Sequence, residues 1–124
     1  MISVESAARV AYEAKREFDW VNGDYNDTPW ATLTGAEREV WVAMTEYCFS
    51  EPIVAPETLH REFTGFLLVR GWGIAEKKKI DRKQSHWLAA WDKLTAWQKK
   101  SFEVFIDVLN SAPIRDGRLL AKSS

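Results

Sequence analysis

The stretch that decides how this chain is read runs from Leu59 to Leu94, LHREFTGFLLVRGWGIAEKKKIDRKQSHWLAAWDKL. It holds both histidines (His60, His86), three of the seven tryptophans, a Gly-Trp-Gly turn at Gly71–Gly73 and the densest basic run, Lys77 to Lys83. Its first dozen residues keep helical periodicity, with Leu59, Phe63, Phe66 and Leu67 on one side, and Gly71 supplies a left-handed terminator. Periodicity then lapses from Trp72 to Trp91. Two short segments, Trp72–Ala75 and Trp87–Ala90, suit extended backbone and flank a basic loop. They predict a small, irregular β-hairpin.

On the N-terminal side, Ser3 is placed to cap a helix from Val4 to about Asp19, whose inward stripe is Val4, Ala7, Ala8, Ala11, Ala14 and Phe18. Tyr12 is placed at the edge of that stripe with its hydroxyl in water. Residues 21–33 read as a loop, because Asn22-Gly23-Asp24 is turn chemistry and Pro29 forces position 28 to be extended. Trp30 is expected to anchor it. Thr34-Gly35-Ala36-Glu37 is a capping box opening a second helix to about Phe49, and Ala55-Pro56 opens the third, which runs to about Arg70. On the C-terminal side, Thr95-Ala96-Trp97-Gln98 is a second capping box. It opens a last helix to about Leu109, and a polar tail follows from about residue 111.

The expected fold is therefore mainly α: one domain over residues 1–124, a compact bundle of about four helices with a short irregular β-hairpin between the third and fourth. A chain of 124 residues buries a sizeable core without disulfides or metals. Seventeen Lys and Arg against eighteen Asp and Glu give a net charge of -1, which argues against extended nucleic acid or a membrane surface as partner. The lone Cys48 sits in an apolar helical pattern and reads as a core residue. No run approaches the ~18 apolar residues of a membrane span, and the N-terminus lacks a signal-peptide block, so a cytoplasmic setting is expected. Neither a metal nor a cofactor is expected: the acidic residues Asp24 and Asp27 lack the glutamate of a calcium loop, and no phosphate loop of the Walker type occurs.

Taken in order, Leu-His-x-x-Phe, Gly-Trp-Gly, a Lys-rich segment, Ser-His and Trp-Asp-Lys-Leu form a pattern that resembles the ryanodine-receptor repeat domain (RyR domain). The likeness is to the short versions that stand alone in bacteria and bacteriophages. The matching positions are His60, Gly71-Trp72, Lys83, His86 and Trp91 to Leu94. Phe63 stands where that family has a tryptophan, and Trp87 where it has a proline. The resemblance implies a small helical domain that is not catalytic and, by analogy with repeats that hold adenine nucleotide against a helix aromatic, a nucleotide or nucleotide-derived signal as ligand. In a phage setting the protein would sense or sequester that signal.

The residues themselves offer the parts of such a site. Phe63 and Trp72 bring aromatic faces, Lys77, Lys79, Arg82 and Lys83 bring cations for phosphate, and His60 and His86 bring hydrogen-bonding rings. A competing expectation is a protein-interaction module that docks through exposed tryptophans and self-associates. A third, nucleotide processing, lacks a recognisable catalytic constellation.

Overall fold

The computed structural model describes residues 2–74 and 84–123. Among these it contains five α-helices: α1 (Val4–Val21), α2 (Gly35–Ser50), α3 (Pro56–Val69), α4 (Ala96–Leu109) and α5 (Ala112–Ser123). The first four close a ring, α4 lying chiefly along α1, α1 against α2, α2 against α3 and α3 back against α4. The core between them is led by Tyr12, Trp41, Leu59, Phe63, Phe102, Phe105 and Leu109.

Local chemistry sets the helix ends. Ser3 Oγ accepts from the Ser6 amide at 3.0 Å. Both capping boxes are formed, Thr34 with Glu37 and Thr95 with Gln98. Each cap satisfies amide donors that a helix start otherwise leaves bare. Two helices end alike. Gly23 (φ 94°) follows α1 and Gly71 (φ 89°) follows α3. In each case the next residue donates six-to-one, Asp24 N to Asp19 O at 2.9 Å and Trp72 N to Leu67 O at 3.0 Å. Left-handed backbone of this kind favours glycine. The two reversals turn Asp24 and Trp72 back onto the bundle.

Three expectations are revised. The hairpin is not formed. Gly73–Ile74 (β1) and Gln84–Ser85 (β2) pair in parallel, Gly73 opposite Gln84 and Ile74 opposite Ser85. The segment placed as its second strand is instead a 3-10 turn, His86–Leu88. Trp87 and Leu88 are both buried. Neighbouring residues of a strand face opposite sides, so extended backbone would bury only one of them, whereas the turn buries both. A fifth helix occupies the stretch read as a polar tail, with Pro113 in its first turn as Pro56 is in that of α3, and Ile114 seated in the core. Finally, Tyr12 is 1% exposed, and its hydroxyl donates to the Thr28 carbonyl at 2.7 Å instead of to water. Burial, with the charges of Asp27, Glu37 and Glu13, pushes its phenol well above the ordinary range. The residue clamps the α1–α2 loop to the bundle, and Trp30 anchors that loop beside it, the two rings meeting edge-on at 5.7 Å.

Candidate functional site

The inward stripe of α1 does not stay apolar. After Ala8, Ala11 and Tyr12 it continues with Lys15 and Asp19, which are 2% and 1% exposed. Lys15 Nζ donates to Asp19 Oδ2 at 2.9 Å. Ser101 of α4 donates to the other Asp19 oxygen. The ammonium sits 3.8 Å from the centre of the Trp87 ring, with Phe102 at 5.2 Å and Trp41 at 5.4 Å. Ring faces carry negative charge density and attract a cation, most strongly where water is excluded. Burial raises the Asp19 carboxyl above its ordinary value, against the pull of Lys15 and Ser101.

This lysine borders a cavity of about 40 Å³. Its other walls are Asp27, Glu37, Val40, Trp41, Phe63, Leu67, Trp72 and Trp87. Four elements supply them: α1, the loop after it, α2 and α3, with Trp72 and Trp87 closing from the two ends of the intervening basic segment. Phe63 and Trp72, both expected as ligand residues, therefore share one cavity. They differ in kind. Phe63 is 5% exposed and lies between Trp41 (5.2 Å) and Phe102 (5.6 Å), so it is a core ring with an edge on the cavity. Trp72 is half-buried and stands nearer solvent.

A second depression, a groove of about 370 Å³, runs along the outer side of α3. It is bounded by Glu57, His60, Arg61, Thr64, Gly65 and Leu68, and by residues 88–91 ending in Trp91. His60 forms part of its floor. The ring Nε2 donates to the Trp87 carbonyl at 2.9 Å, and Phe102 packs edge-on at 5.2 Å. Burial lowers the His60 pKa, outweighing the backbone hydrogen bonds that favour the charged ring. His60 thus staples α3 to the turn that carries Trp87. It is neutral at physiological pH.

His86 borders neither space. Its Nε2 lies 2.7 Å from Asp24 Oδ2, across 62 residues of chain. Asp24 also accepts from the Asn26 backbone (3.0 Å) and side chain (2.7 Å). Burial alone would raise this carboxyl, but the His86 and Asn26 hydrogen bonds hold it well below the usual range. A carboxyl whose folded pKa is depressed stabilises the fold above its unfolded value near 3.9 and loses that contribution as pH falls through and below it. Asp24→Asn is therefore expected to cost about 1–3 kcal/mol at pH 7 and modestly less at pH 3, where the unfolded carboxyl is protonated but the folded one is still ionised. Urea denaturation of both forms at the two pH values checks this.

Lys77, Lys79, Arg82 and Lys83 fall outside the described residues. Sequence reasoning missed the buried Lys15–Asp19 pair, then Asp27, Glu37 and Trp41 beside Lys15 at the cavity, and Arg61, Thr64 and Trp91 at the groove. The signal for the first pair was present: Lys15 and Asp19 extend the Ala8–Tyr12 stripe at helical spacing. Cys48 is buried in the core, and burial pushes its thiol up to about 12, too high for a thiolate nucleophile at neutral pH. Among the described residues no cluster of three or more His, Cys, Asp or Glu is arranged to hold a metal ion, and no helix is long and apolar enough to cross a membrane. The chain matches no protein-family model, no curated protein and no solved structure.

Proposed function

We propose that the protein is a non-catalytic binding module for a nucleoside or nucleotide-type small molecule, seated in the groove between α3 and Trp91. The observation that carries this reading is the groove itself. Its volume of about 370 Å³ lies within the ~300–1,000 Å³ typical of small-molecule sites. The cavity at Lys15 is too small for that role. At ~10–15 Å³ per water on the same measure, its 40 Å³ holds about three waters, well short of a purine.

Each part of a nucleotide has a counterpart along the groove. Trp91 is half-buried and offers a ring for a base, a contact of ~1–3 kcal/mol in single-stranded nucleic-acid sites. Thr64 and Glu57 offer an acceptor and donor set for sugar hydroxyls. The exposed guanidinium of Arg61 suits a phosphate, which it can hold in a two-pronged way. Leu68 and Leu88 supply apolar floor. The sequence resemblance to stand-alone RyR domains supports the same ligand class and a role in sensing or sequestering a nucleotide signal.

A thermal-shift screen with adenine, cyclic and NAD-derived nucleotides tests the reading. A ligand at 100 times its dissociation constant contributes ~2.7 kcal/mol, which moves the midpoint of a domain of this size by on the order of 10 °C. Arg61→Ala is expected to abolish most of the shift without changing the midpoint of the free protein, because Arg61 is exposed. A flat profile with every nucleotide would sink the proposal.

A second reading is favoured by one further observation. Leu68 beside the groove is 51% exposed and its neighbour Val69 is 85% exposed, while Trp20 (50%), near the end of α1, and Tyr25 (62%), in the loop after it, meet edge-on. Exposed apolar side chains of this size suit docking to another protein. A concentration-dependent dimer without any nucleotide shift would move the assignment there.

A further inference from the structure

Glycine weakens a helix interior relative to alanine, so a glycine there calls for a reason. Gly35 only opens α2, but Gly65 and Gly117 lie well inside α3 and α5. Gly117 has its reason in packing: a Cβ built on it would meet Ile2 Cγ2 at 3.0 Å. Gly65 has no such reason within the fold. Its backbone is not left-handed, unlike that of Gly23 and Gly71. A Cβ at Gly65 would meet nothing within 4 Å outside its own stretch of helix. Its buried neighbours Phe63 and Leu67 point to the core, whereas Gly65 is exposed and lies on the wall of the groove, one turn beyond Arg61. The space that its missing side chain leaves open is groove space.

We propose that Gly65 admits the base of a nucleoside monophosphate, which lies across the bare α3 backbone at this position while its phosphate meets Arg61. The inference rests on the groove being a nucleotide site and adds where the base sits and which residue limits its size. A helix without a side chain lets a ligand approach the backbone itself. The other wall is equally low, since it carries Ala89 and Ala90. Short side chains on both walls favour a flat ring over a bulky group, and Leu68 and Leu88 give that ring apolar cover. The spacing suits a single phosphate. Residues four apart on a helix lie about 5–6 Å from each other on one face, and the arginine side chain extends that span outward.

The test compares thermal midpoints of the wild-type chain, Gly65→Ala and Arg61→Ala, each alone and titrated with adenosine, guanosine, cytidine and uridine 5′-monophosphates. At least one nucleotide is expected to raise the wild-type midpoint. Gly65→Ala is expected to raise the midpoint of the free protein by about 3–5 °C, because alanine suits a helix better and its methyl group meets no other part of the fold. The same variant is expected to bind that nucleotide about tenfold more weakly or worse, the scale on which a pocket discriminates one carbon. Arg61→Ala loses binding without the gain in midpoint, so stability gained with binding lost is the signature of Gly65. A wild-type chain that none of the four nucleotides shifts would overturn the groove reading, and this inference with it. Wild-type binding that Gly65→Ala leaves intact would overturn the placement of the base alone. So would a lowered midpoint in free Gly65→Ala, which would show that the glycine serves the fold.

Discussion

Lys15→Met is expected to destabilise the protein by about 3–5 kcal/mol at neutral pH, the usual effect of stripping one partner from a buried ion pair. The size follows from what remains. Asp19 is 1% exposed, and without Lys15 it keeps only the Ser101 hydroxyl and the apolar walls of the α1–α4 contact. Methionine fills the volume but restores neither charge nor the contacts to Trp87, Trp41 and Phe102. The sign of the pH dependence distinguishes this account from a simple packing defect. Asp19 already has a raised folded pKa, and removing Lys15 raises it further. A carboxyl raised in the folded state is at its most stabilising below the unfolded value and costs stability as pH climbs through the folded one. The variant therefore loses most at pH 7 and recovers towards pH 4, the reverse of the Asp24–His86 pair. Adding Asp19→Asn removes the stranded charge while keeping a partner for Ser101. The double variant is expected to regain most of the loss. Urea titrations between pH 4 and pH 8 decide it, and a pH-independent deficit would refute the ion-pair explanation.

Why this pair escaped a reading of the sequence is a matter of distance along the chain. The helices and their ends are local: apolar spacing, two capping boxes and a glycine after α3 specify them within a few residues each. A Lys and an Asp four apart on a helix are equally local, but on their own they describe a solvated surface pair. What buries them is Ser101, 82 residues beyond Asp19, together with Trp87 and Phe102. His86 and Asp24 pair across a comparable gap. The same holds for the hairpin. The sequence from Trp87 to Ala90 accepts either extended or 3-10 backbone, and the choice is made by a core that has room for both Trp87 and Leu88. Pro113 shows a local ambiguity, since proline stops one helix and starts another with equal ease. Of the expected ligand residues, Phe63 and Trp72 do come together, but around a space of about 40 Å³, too small for a base. The larger groove is lined by Arg61 and Thr64, which no local motif marks, and by Trp91, which the Trp-Asp-Lys-Leu motif marks without indicating a groove.

Phe63→Ala is expected to cost about 3–5 kcal/mol, as large-to-small changes at buried aromatic positions do. The ring is 5% exposed, wedged between Trp41 and Phe102, and its loss would merge a new void with the existing cavity of about 40 Å³. Little of that void can collapse, because the neighbouring rings are themselves held in place, Trp41 by Tyr12 and Phe105 and Phe102 by His60 and Trp87. Phe63→Leu keeps an apolar side chain in the gap and is expected to lose less than about 2 kcal/mol. A stacking platform on the surface would behave in the opposite way: alanine would leave stability alone and remove binding. Guanidinium denaturation separates the two, the core account requiring a lower midpoint at unchanged slope. It also fixes how the groove should be probed. A loss of nucleotide binding in Phe63→Ala would report a loosened bundle, whereas Arg61→Ala changes the groove without touching the core.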